Sequence, residues 1–188
     1  MEAETHLTFF DRKFERFSLM LPKVEEGLQA FQHMFDPESK MVLHYNIATR
    51  LMFIGEYKKS FRWLEKIFSE SQGMREDILH SAHICSLICI HESDDLSLFE
   101  SRTRSYIRYY NHLPEKSEHY LKMIHYLVQI FRNKNDRHFL NELLNDFNDY
   151  LSAIHWQGQV ENIFHDLLKT WIHSKQAVQN EKKNRTLA

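Results

Sequence analysis

The chain has 188 residues, 43% of them apolar and 27% charged, with only four glycines and three prolines. Average usage is roughly 7% Gly and 5% Pro, so the turn-makers that a sandwich or barrel needs every ~8–12 residues are missing, and no glycines cluster into a phosphate-cradling loop. Lys plus Arg is 24 against 26 for Asp plus Glu, and this net charge of −2 excludes the basic footprint of a nucleic-acid-binding domain.

In chain order, the start Met1-Glu2-Ala3-Glu4 is acidic and lacks the basic opening of a secretory signal. Phe14, Phe17, Leu21 and Val24 form a first helical stripe, with Pro22 placed to start a helix afresh or kink it. Gly27 falls inside this helix. Asp36-Pro37-Glu38-Ser39 reads as a loop ending in an N-cap serine, ahead of a helix over residues 40–54. Gly55 marks a tight turn. Tyr57, Phe61, Leu64 and Phe68 form the next stripe, with Lys58, Lys59, Arg62 and Lys66 on its wet side and Gly73 as its C′ residue.

A helix over residues 76–91 carries both cysteines, Cys85 and Cys89, four apart. Two cysteines on one helix make no disulfide framework, so a reducing cytoplasm is the expected location. The apolar run from Ile84 to Ile90 is far short of the ~18 residues that span a bilayer, so no membrane association is expected. Arg102, Arg104, Tyr106, Arg108 and Tyr109 mix basic and aromatic residues as single-strand binders do, but a helical wheel splits them between faces. Breaks near Pro114, Asn135 and Gly158 bound a helix over 117–132, a stripe from Phe139 to Leu151 and another from Val160 to Ile172. The prediction is an all-α chain of about nine helices of ~14–18 residues. Residues 1–175 read as one helical repeat domain and 176–188 as a flexible tail.

Within residues 40–70, Ala48, Leu51, Gly55-Glu56-Tyr57, Ser60, Leu64 and Ile67 are spaced as in two antiparallel helices that touch through small residues. This pattern resembles the tetratricopeptide repeat, with Ser60 in place of the consensus alanine and no closing proline. Tyr45-Asn46-Ile47-Ala48, Trp63-Leu64-Glu65-Lys66-Ile67, Arg75-Glu76-Asp77-Ile78 and Ser105-Tyr106-Ile107-Arg108-Tyr109 extend the likeness. In that order they resemble the C-terminal part of a group of Bacteroidetes tetratricopeptide-like proteins. The resemblance implies a right-handed α-α superhelix of antiparallel helix pairs and supplies no catalytic residues. The relatives it implies carry further helices before this point, so the chain reads either as a fragment of a longer array or as a shortened version of one.

Histidine is unusually frequent, 13 of 188 residues. At 100° per residue, Glu76, His80, His83, Leu87 and His91 share one face of their helix, and Glu76, His80 and His83 form a weak metal-ligand pattern. They lack the His-Glu-x-x-His motif, and the cysteines point the other way, so no metal or other cofactor is expected. No ordered nucleophile–base set emerges, so the chain reads as non-enzymatic.

Helical-pair arrays present a concave surface lined by the first helix of each pair. By analogy, a peptide or partner-helix groove is expected from Tyr45, Thr49 and Met52, from His80, His83 and Leu87, and from His119, Met123 and Tyr126. A protein or peptide partner in this groove is the leading expectation. One alternative is a metal-dependent helical enzyme centred on His80 and His83. Another is a structural domain that packs on further N-terminal repeats or on a second copy, forming a homodimer through its apolar end near Phe9, Phe10 and Phe14.

Overall fold

Three helices begin on aspartate. Asp36, Asp95 and Asp136 each accept a hydrogen bond from the backbone N–H three residues on, at Ser39 (2.9 Å), Leu98 (2.9 Å) and Phe139 (3.2 Å). Each bond satisfies a donor that a helix N-terminus leaves open. The cap of the second helix is therefore Asp36 and not Ser39: Pro37 takes the first helical position, where a missing N–H costs nothing.

A computed structural model describes residues 17, 19–70, 75–113, 118–156 and 158–186, with side chains to residue 178 apart from 32 and 70. The elements are α1 (residues 19–31), a 3-10 turn (Gln32–Met34), α2 (Pro37–Phe53), α3 (Tyr57–Glu70), α4 (Glu76–Glu92), α5 (Leu96–Tyr110), α6 (Glu118–Arg132), α7 (Arg137–Ala153) and α8 (Gln159–Thr186). The all-α prediction holds. Eight α-helices and no strand occur among the described residues, against about nine helices expected. Gly73 and Pro114 lie outside the described residues, as do Phe9, Phe10 and Phe14.

Two boundaries differ from expectation. Helix α1 runs through Pro22 without a break. Helix α8 continues to Thr186, so the backbone of residues 176–186 is helical. No Gly or Pro follows Gly158, and the Lys, Gln, Glu and Ala that follow Trp171 are good helix formers.

Small residues and one glycine set the α2–α3 pair. Gly55 adopts φ +77°, a conformation that glycine enters without a Cβ penalty. The Gly55 and Glu56 N–H groups close the turn onto Met52 O (2.9 Å) and Leu51 O (2.8 Å). Ala48 and Ser60 then meet with both residues fully buried, and the Ser60 hydroxyl donates to Ala48 O at 2.8 Å.

Each helix from α2 onward packs on the next, and α4 also packs on α2 and α6. The result is a stack of antiparallel helix pairs, with α2, α4 and α6 as the layer of first helices. Helix α4 is the centre. It touches α2, α3, α5, α6 and α8, and residues 80–90 are all buried. A helix apolar on every side belongs in such a place.

Helix α8 departs from the stacking order. Besides its neighbour α7 it packs on α4 and α2. Its 28 residues, at 1.5 Å each about 42 Å long, reach back across the first-helix layer. Phe164, Leu167, Leu168, Trp171 and Ile172 are its buried stripe.

Candidate functional site

Most of the residues expected to line a groove are core. Tyr45, Thr49, Met52, His80, His83, Leu87 and Met123 are buried, Tyr126 is half-buried and His119 is exposed. The helical wheel placed His80, His83 and His91 on one face, and the structure divides them between neighbours. His80 packs against α5 and α6 and His83 against α3 and α5, whereas His91 meets α6 and α8.

Around His80 and His83 lies a cluster of tyrosines. The His83 ring stacks on Tyr106 at 4.1 Å, and its Nδ1 lies 3.2 Å from the Tyr110 hydroxyl. That hydroxyl donates to His80 O at 3.4 Å, and Tyr106 and Ser86 join their hydroxyls at 2.9 Å. Tyr120 packs on both His80 and Tyr110. Burial disfavours charge throughout this cluster. It lowers the His83 imidazole to about 3 and also lowers His80. It raises Tyr106 to about 12 and Tyr110 and Tyr120 still further.

These are neutral rings that fill the space between α3, α4, α5 and α6. Glu76, the third member of the metal pattern, is exposed, and no metal-holding group of three His, Cys, Asp or Glu occurs among the described residues. The cysteines are buried, and desolvation holds the Cys85 thiol well above its ordinary value and Cys89 at about 12. Neither offers a thiolate for nucleophilic chemistry.

The third group of groove candidates sits at the α6–α7 surface. His119 Nδ1 is 2.9 Å from the Tyr150 hydroxyl, Lys122 lies over the Tyr150 ring at 4.3 Å, and Tyr126 stacks on Phe147 at 4.8 Å.

A polar site that the sequence reading missed joins α4 to α8. Glu92, the last residue of α4, accepts from Trp171 Nε1 at 2.8 Å and holds the Lys175 ammonium at 2.6 Å. His91 Nδ1 lies 3.1 Å from the same carboxylate, and the His91 ring sits edge-on between Phe131 and Trp171. Burial pushes the Glu92 carboxyl up, but the bonds from His91, Lys175 and Trp171 outweigh it and hold the group at about 2. Its signal in sequence was the i, i+4 spacing of Trp171 and Lys175, which sets an N–H donor and a cation on one side of a helix.

Two further surface features are present. Leu19, Met20, Phe31 and Met34 are exposed around α1 and the 3-10 turn. A shallow depression of about 500 Å³ is lined by Phe35, Val42, Leu43 and the start of α2. Among the described residues no helix is long and apolar enough to cross a membrane. Comparison with protein-family models, with curated proteins and with solved structures gives no match.

Proposed function

We propose that the chain is a non-catalytic scaffold that binds a partner protein through an amphipathic helix laid on the α2–α4 layer. The docking of α8 carries this reading. The chain's own last helix leaves the stacking order, lays a stripe of five buried apolar side chains inward and packs on α4 and α2. A helix stripe seated in this way is the helix-in-groove mode of recognition, met here within one chain. The neutral, ring-packed state of His80 and His83 supports packing over catalysis at those positions.

The test is affinity capture from the native cell with the full chain, comparing wild type with Leu168→Asp, which disrupts the stripe of α8. A partner of the α2–α4 layer is captured more strongly by the variant. Equal capture by both chains, or a partner cross-linked only to α3, α5 or α7, overturns the reading.

Self-association is a second reading, favoured by the exposed Leu19, Met20, Phe31 and Met34. A dimer mass in light scattering that Met34→Lys reduces to a monomer supports it. A monomer for the wild-type chain at high concentration rejects it.

A further inference from the structure

We infer that Glu92 reads the helix seated on α4, so that the partner able to displace α8 is an amphipathic helix carrying an aromatic N–H and, one turn later, a lysine or arginine. The inference rests on the helix-binding reading above and adds the chemistry of the partner.

Three observations carry it. First, the contact side of α8 combines two kinds of group. Phe164, Leu167, Leu168, Trp171 and Ile172 give apolar contacts at i, i+3, i+4, i+7 and i+8, and Lys175 follows at i+11. The apolar part fits many helices. Second, the hydrogen bonds that join α8 to α4 among the described residues both end on the Glu92 carboxylate. That side chain is only 14% exposed and Lys175 27%. A helix lacking the cation would leave a mostly buried carboxylate short of a partner, so the carboxylate selects by penalising the wrong occupant. Third, the helical path is broken ahead of α8. Ile154 is extended and Gly158 takes φ +99°. Helices α2 to α7 pack in unbroken succession without it.

The experiment uses the full chain as wild type, Lys175→Glu and Glu92→Gln, the last retaining the shape of the carboxylate. Amide exchange is followed separately over α4 and residues 159–178. Binding is measured with two fluorescein-labelled peptides spanning residues 159–178, one of wild-type sequence and one carrying Lys175→Glu. In the Lys175→Glu chain, exchange over α8 is expected to rise about tenfold while α4 is unchanged, the effect of one lost charge-assisted bond. That chain is expected to bind the wild-type peptide about tenfold more tightly than the altered one. Glu92→Gln is expected to remove the discrimination.

If α8 is released and neither peptide binds, the helix-binding reading itself falls. If both peptides bind the Lys175→Glu chain equally, the layer accepts helices but Glu92 does not select them, and this inference alone falls. If exchange rises over α4 and α8 together in both variants, α8 is fixed core and is not displaceable, which also overturns the inference. Should the Lys175→Glu chain fail to fold, Glu92→Gln decides alone: released α8 without peptide preference supports the inference, and unreleased α8 overturns it.

Discussion

Where α2 crosses α3, the Ser60 hydroxyl spends its hydrogen on Ala48 O at 2.8 Å, which lets a polar side chain replace a methyl group in full burial. The contact leaves no room for bulk, so Ser60→Leu should cost about 1–3 kcal/mol by overpacking. Gly27 is the opposite case. A Cβ added there meets nothing within 4 Å, and the residue lies inside α1. Gly27→Ala should therefore raise stability by about 0.5–1 kcal/mol, seen as a higher urea midpoint at unchanged slope. His83 sets the pH response. Its native pKa is about 3, against an unfolded value of about 6.5. Below that value the unfolded chain takes up a proton that the folded chain refuses, so stability is complete above pH ~6.5 and falls as pH drops towards 3. The fall is up to about 1.4 kcal/mol per pH unit, and His80, also lowered, adds in the same direction. Urea unfolding at pH 7 and pH 5 isolates the histidines, because unfolded carboxylates remain largely ionised across that interval. His83→Gln, which keeps a hydrogen-bonding group near Tyr110, should flatten the dependence; an unchanged slope would remove His83 as its source.

Three of the helices, α2, α5 and α7, are held at their starts by one repeated device. Asp95 and Asp136 are exposed aspartates whose carboxylates bond N–H groups of α5 and α7. Asp95→Ala and Asp136→Ala should each cost about 1 kcal/mol in denaturant midpoint, while Asn at either position should cost only a few tenths. Element positions were legible in the sequence because each stripe recurs at the helical period and each turn is marked by Gly, Pro or a polar cluster. The stripes of α3, α7 and α8 each have one wet side, and there periodicity finds the centre of the buried face but not its edges. Leu64, Leu144 and Leu168 are fully buried, whereas Tyr57, Phe61 and Phe68 are half-buried, Phe139 is exposed, and the core side of α3 is completed by Ser60, Trp63 and Ile67. Helix α4 has no wet side over residues 80–90. A wheel drawn for it separates histidines from cysteines, but both sets are core, so polarity could not say which neighbour each side meets. The cap of α2 was misplaced for a related reason. Asp36 and Ser39 are both good caps, and only Pro37 at the first helical position distinguishes them.

At the scale of the whole chain, stacking of neighbours gives contacts that are local in sequence, as in a one-dimensional array where units can unfold separately. Helix α8 changes that, because it brings the last element against α2 and α4. The sequence showed that α8 has a buried stripe, but a stripe fixes a side and not a partner. The return to α2 was invisible for that reason, and the groove expected from the first helices was drawn as open. Closing the array should couple its ends. The wild-type chain is expected to unfold in urea in a single transition, coincident by far-UV circular dichroism and by tryptophan fluorescence, since Trp63 lies in α3 and Trp171 in α8. Ile172→Asp places a carboxylate at a fully buried site of the α8 stripe. It should loosen α8 first, so that fluorescence from Trp171 changes at lower urea than the helical signal and the apparent slope falls. A wild-type chain with two separate transitions would show that α8 does not tie the array together. An Ile172→Asp chain that keeps a single coincident transition at a lower midpoint would show instead that α8 unfolds only with the rest of the core.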